Sequence, residues 1–183
     1  SLIGVNEGSV TLTVDEGGGV IAITNDTGDD DNHALVGGTF EPADGVVHME
    51  VRLKVNSFAA TRLAVFVGFS ETLALDTPVM PAEIATATLD FVATGGVAGF
   101  VFDSDATSLV WRFVVGNDNA ALAIEDAAGA VGAAVGIDAN GTMTADRWYI
   151  FRVEIDTQGI ARGYIVGLND SDAFKLVGRN TTA

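Results

Sequence analysis

The residues best spaced for chemistry are Glu154 and Asp156, in the run Trp148-Tyr149-Ile150-Phe151-Arg152-Val153-Glu154-Ile155-Asp156-Thr157-Gln158-Gly159. Side chains two apart on a strand share a face, so these carboxylates would stand on one face, as groups that share acid–base work would. Asp156 to Gly159 reads more simply as a four-residue turn, however, and an acid without its partner cannot complete a two-carboxylate cycle. Both acids are therefore expected to serve structure, and no residue is assigned a catalytic role.

The remaining candidates weaken in the same way. His33 and His48 have no metal-ligand spacing with each other, and the chain has no cysteine, which removes thiolate metal sites and disulfides together. Asp26, Asp29, Asp30, Asp31 and Asn32 gather oxygens that would suit calcium, but they miss the Asp-x-Asp-x-Asp-Gly pattern and no bidentate Glu follows at the required distance. A solvated acidic loop is the expectation there. Asp103-Ser104-Asp105 reads as a polar turn between apolar strands. Gly17-Gly18-Gly19 lacks the Lys and helix of a phosphate loop, and no Gly-x-Ser-x-Gly elbow occurs. No cofactor and no metal is expected. Trp111 and Trp148 would stack on a sugar if exposed, but each sits in a strand-forming run, so packing in the core is expected of both; exposure would reverse that judgement.

The elements around these residues read as strands almost from end to end. Tyr149, Phe151, Val153 and Ile155 alternate with Arg152, Glu154 and Asp156, and Ile160 to Gly167 returns beyond the turn, which predicts an antiparallel hairpin. Val47, Met49, Val51, Leu53 and Val55 alternate with His48, Glu50, Arg52, Lys54 and Asn56, giving one buried and one wet face. Val10 to Val14 and Val20 to Thr24 suggest a first hairpin turned by Gly17-Gly18-Gly19, and residues 33–36 a short strand. Leu63 to Phe69 is apolar on both faces, which suits a central strand covered on both sides. Ser70 to Asp90, with Pro78 and Pro81, reads as a long connection with a helical turn near Ala82 to Thr86. Val97–Phe102, Leu109–Val115, Ala121–Glu125, a thin strand around Ala133–Ile137 and Ala173–Gly178 complete about ten to twelve strands. That number, with little helix, predicts an all-β fold of two packed antiparallel sheets, a sandwich with jelly-roll connections.

A chain of 183 residues, 48% of them hydrophobic, has the length of one domain or of one domain with an arm. Residues 1–33 are read as an N-terminal hairpin or arm with an acidic loop, packed on a β-sandwich domain of residues 34–183. The longest apolar runs, Leu63 to Val67 and Ala127 to Ile137, fall far short of the roughly 20 residues that span a bilayer, so no membrane partner is expected. Ser1 to Glu7 lacks the basic region and apolar core of a signal peptide, and an initial Ser is what removal of an initiator Met would leave. The net charge of −16, from 25 Asp and Glu against nine Lys and Arg, argues against a surface that neutralises phosphates, so nucleic acid is not an expected partner. A solvated acidic surface that resists non-specific association accounts for the charge.

Several blocks, in order, carry a resemblance: His48-Met49-Glu50-Val51-Arg52-Leu53-Lys54-Val55, then Ala64-Val65-Phe66-Val67-Gly68-Phe69-Ser70-Glu71, then Gly99-Phe100-Val101-Phe102-Asp103, and finally Arg147 to Gly167. Together they resemble the concanavalin-A-like jelly-roll sandwich of lectins, laminin-G-like modules and some glycan hydrolases. More narrowly, they resemble a group of structural proteins from tailed phages and related viruses, over about Leu35 to Gly178. Related hydrolases place acids as Glu-x-Asp-x-x-Glu, and here Gly159 stands where the third carboxylate would be.

The resemblance implies a non-enzymatic virion component on the outer capsid surface, a decoration or cement protein whose partner is the major capsid protein. The N-terminal segment Ser1 to Gly8 or the connection Ser70 to Asp90 would lie across seams between capsid subunits. A homo-oligomer is a further expectation. The alternative is a carbohydrate-binding module or adhesin, part of a viral fibre among the possibilities, with a surface glycan as partner; fold alone is a weak warrant for that, because function belongs to sites.

Overall fold

Alternating and doubly apolar runs become strands in the computed structural model, which describes residues 2–5, 8–13, 20–25, 32–57, 63–72, 80–86, 88–91, 95–104, 106–118, 120–126, 131–132, 137–142, 144–167 and 173–181. The chain divides into two compact units, Ser1–Thr39 with Leu73–Val79, and Phe40–Thr72 with Met80–Ala183. In the first unit, β1 (Leu2–Val5) pairs antiparallel with β4 (Asn32–Leu35), and β2 (Gly8–Thr13) with β3 (Val20–Asn25). The β2–β3 hairpin is the one expected from Val10 to Thr24. Its proposed glycine turn, and Asp26, Asp29, Asp30 and Asp31 of the acidic loop, lie outside the described residues.

The second unit starts with a short 3-10 turn, Pro42–Asp44, and continues through β5 (Val47–Lys54), β6 (Ala64–Ser70), β7 (Ala82–Ala85), β8 (Thr88–Phe91), β9 (Val97–Asp103), β10 (Val110–Asn117), β11 (Ala120–Ala121), β12 (Ile124–Asp126), β13 (Val131–Gly132), β14 (Ile137–Thr142), β15 (Trp148–Ile155), β16 (Ala161–Val166) and β17 (Lys175–Asn180). Two large antiparallel sheets result, with β7 and β8 paired as a separate two-stranded one. One has six strands in the order β13-β12-β17-β16-β15-β5; the other has five, in the order β11-β10-β9-β6, with β14 also on β10. The all-β class with antiparallel sheets is as expected.

Inward positions of both sheets meet in one core of Val67, Ala98, Phe100, Phe102, Trp111, Phe113 and Val115 from the five-stranded sheet and Ile124, Tyr149, Phe151, Val153, Ala161, Ile165 and Val177 from the six-stranded one. This makes the second unit a β-sandwich. Phe151 stands at its centre, with ring centroids 4.5 Å from Trp111 and 5.2 Å from Phe100, in tilted arrangements that suit the aromatic quadrupole. The sheets approach closely enough that a Cβ at Gly163 of β16 would run into the Phe113 ring, so only hydrogen fits there.

Two sequence expectations are corrected. The run Leu63 to Phe69 is not central: β6 ends its sheet, and the strand buried along its whole length is β9. Both strands are apolar on both faces, and the neighbours that decide which is central are remote in sequence. The helical turn near Ala82 is instead the β7–β8 hairpin, in which Ala82, Ile84 and Phe91 pack with Val97, Val101, Val114 and Ala106 in a second core on the far side of the five-stranded sheet. Tertiary burial of alternate residues outweighs the helical preference of Ala here. Of the thin strand expected around Ala133–Ile137, residues 133–136 lie outside the described residues, and Ile137 opens β14, Ile137–Thr142, which pairs with β10.

Candidate functional site

The turn between β15 and β16 places the two acids of the glycosidase-like run. Asp156 accepts at Oδ1 from the backbone N–H groups of Gln158 and Ile160, both at 3.0 Å, and at Oδ2 from Arg162 Nη1 at 3.0 Å. Gly159 closes the turn with φ of 76° and donates its N–H to Asp156 O at 2.9 Å. Burial alone would raise the Asp156 pKa, but the hydrogen bonds from Ile160, Arg162 and Gln158 and the Arg162 charge together hold it below the usual carboxylate range. Glu154 lies on the outer face of β15, with Oε1 3.0 Å from Arg152 Nε; the contact is ionic, since the Nε–H finds no hydrogen-bond acceptor. Partial burial first, and then the Glu154 charge, push the Tyr164 hydroxyl pKa upward.

Beside the turn, a shallow depression of about 230 Å³ is lined by Glu125, Ile160, Arg162, Arg179, Asn180 and Thr181. Its guanidiniums are already engaged: Arg162 with Asp156, and Arg179 through Nε (3.1 Å) and Nη2 (2.8 Å) with Glu125 Oε2. Asn180, 1% exposed, accepts from Ala161 N at 2.5 Å and donates to Gly159 O at 3.3 Å, which ties the turn to β17. The depression is a junction of strands with its charges internally matched.

Above it extends the outer face of the six-stranded sheet. Register sets rows across the strands β5, β15 and β16: Lys54 and Trp148; Arg52, Ile150 and Val166; Glu50, Arg152 and Tyr164; and His48, Glu154 and Arg162. Arg162 and Glu125 in turn flank Arg179. The Arg52 guanidinium carbon lies 4.5 Å from the Trp148 ring centroid and Lys54 Nζ 5.5 Å from it, both within cation–π reach. Lys54 also pairs with the exposed Asp146 at 3.4 Å. Comparisons with protein-family models, curated proteins and solved structures find no match.

Placement of the other sequence candidates follows. Trp111 is in the core as expected, 1% exposed. Trp148 is not: it is partly exposed on the outer face, because Tyr149, Phe151 and Val153 take the inward positions of the same strand. The parity of that alternation was the signal. Asp103 is no solvated turn residue either: it is 8% exposed, and its Oδ2 accepts from Ile84 N at 3.1 Å, fastening β7 to the end of β9. Ser104 Oγ accepts from Leu63 N at 2.7 Å, while Asp105 lies outside the described residues. His48 is exposed on β5, and His33 belongs to β4 of the first unit. Among the described residues, no group of three or more His, Cys, Asp or Glu is placed to hold a metal ion.

Proposed function

We propose that this chain is a non-enzymatic structural protein that works by surface contact, decorating the outer capsid surface of a virus particle and reinforcing contacts between its subunits. The observation that carries the reading is the employment of Asp156 in holding a turn, which withdraws from chemistry the acid best placed for it. The order of the resembling blocks and their place in a two-sheet sandwich support a concanavalin-A-like jelly roll. The major capsid protein is the proposed partner, and many copies on a lattice would make small contact energies sufficient. Ala82 and Ile84 of β7 and Phe91 of β8 pack against the five-stranded sheet, so these two strands are not free to reach across a seam. Co-sedimentation of the purified protein with particles lacking it, with bound copies counted, tests the proposal. Saturable binding at a lattice-matched stoichiometry is expected, and failure to bind intact shells overturns it.

A second reading, a glycan-binding module or adhesin, is favoured by one observation, the partly exposed Trp148. Binding on a glycan array, lost in Trp148→Ala, would support it; silence with and without calcium would remove it.

A further inference from the structure

The outer face of the six-stranded sheet differs in charge from the rest of the molecule. Five of the chain's nine Lys and Arg stand on it, Arg52, Lys54, Arg152, Arg162 and Arg179, with Glu50, Glu125, Glu154, the turn residue Asp156 and the loop residue Asp146 that pairs with Lys54 from its 25 acids. The face is therefore nearly neutral, and the net charge of −16 resides on the remainder. Two copies of so acidic a chain repel each other across most orientations, and contact through this face brings the least like charge together.

Its composition also fits. Trp148, Ile150, Val166 and Leu176 are partly exposed on it, and Phe174, 39% exposed, lies under the Arg152 guanidinium at 5.5 Å. Aromatic residues and Arg are the types enriched where proteins meet. Two exposed charges on β5, Glu50 and Arg52, make no ion pair among the described residues, whereas Lys54, Arg152, Arg162 and Arg179 all do. Four long strands about 4.8 Å apart and up to eight residues long make a patch of roughly 19 by 27 Å, or about 500 Å². Two copies would then bury about 1,000 Å², the lower bound for a specific interface.

We infer that this face is the contact between two copies of the chain, packed face to face about a two-fold axis that lies in the interface and runs perpendicular to the strands. That axis reverses strand direction while keeping strand order, so β5 meets β5 end for end. The Lys54–Arg52 end of one copy then covers the His48–Glu50 end of the other, and Arg52 meets Glu50 of the second copy twice over, as two-fold symmetry requires. On β15 the same operation sets Ile150 over Arg152 and Trp148 over Glu154 of the second copy, and on β16 it sets Val166 over Tyr164.

Sedimentation velocity of the full chain, from about 1 µM to about 1 mM, tests this. The wild type should show a concentration-dependent species of twice the 18.8 kDa chain mass. Arg52→Glu and Glu50→Arg each place like charges in contact, and each should raise the dimer dissociation constant by about tenfold or more. The double exchange Arg52→Glu/Glu50→Arg should restore dimerisation, and so should mixing the two single variants. Circular dichroism and an unchanged Tm establish that the variants are folded, since both positions are exposed. A wild type that remains monomeric throughout overturns the inference, as does a dimer indifferent to the single reversals. Reversals that weaken the dimer without rescue by the double exchange overturn the two-fold arrangement.

Discussion

Replacing Asp156 by Ala separates a structural acid from a reactive one. The carboxylate accepts from two backbone N–H groups and one guanidinium at about hydrogen-bond optimum. Intramolecular hydrogen bonds contribute about 0.5–1.5 kcal/mol each, and those to charged groups somewhat more. Because Arg162 is 30% and Asp156 21% exposed, solvent screening keeps the ionic part small. The loss should be about 1–3 kcal/mol for Asp156→Ala and about half that for Asp156→Asn, whose Oδ1 still accepts from Gln158 and Ile160. The pH dependence has a definite sign. The folded chain holds this carboxyl below its usual range, so its contribution is full above the unfolded value near 3.9 and is lost as pH falls through the lower folded value. Urea unfolding followed by tryptophan fluorescence at pH 7 and near pH 2 measures the difference, which should shrink at the lower pH. An Asp156→Ala chain as stable as wild type at pH 7, or a gap that widens in acid, would refute the reasoning.

Two further outcomes follow from the packing. Gly163→Val drives a side chain into Phe113 between the sheets and should cost about 1–3 kcal/mol in urea unfolding, with no compensating gain available from rotamer change at the glycine itself. Glu83 faces Asp90 across β7–β8; partial burial first, then the charges of Asp103 and Asp90, raise its pKa. Its ionised form is thus penalised in the fold, a penalty present above the folded pKa and absent below the unfolded one. Glu83→Gln should add a few tenths of a kcal/mol at pH 7 and nothing near pH 3, as read from paired thermal melts.

The strands that alternate strictly were legible. In β5 and β15 a period of two leaves only one way to bury Val51, Leu53, Phe151 and Val153. The same parity places Trp148 outside, a deduction open to the sequence but overridden by the general tendency of Trp to pack inward. Other features depend on contacts remote along the chain. Nothing in Ala82-Glu83-Ile84-Ala85 reveals that a sheet face lies ready to receive Ala82 and Ile84. The turn that joins β7 to β8 begins with Thr86 at φ of 58°, so it lacks the glycine that normally marks such a hairpin. Asp103 reads as a turn acid because its neighbours do, and its role depends on a backbone N–H nineteen residues away. The outer face was invisible as a unit because its residues come from five separate strands.

Burial on both sides of β9 divides the molecule into regions of unequal freedom to vary. Each residue of β9 borders one of two cores, so a change there disturbs packing whichever way its side chain points. Across the sandwich, β5 and β15 have alternate positions that touch no core. A lineage carrying this fold can rewrite its outer surface at those positions one substitution at a time, and an engineer can do the same, while β9 holds the scaffold constant underneath.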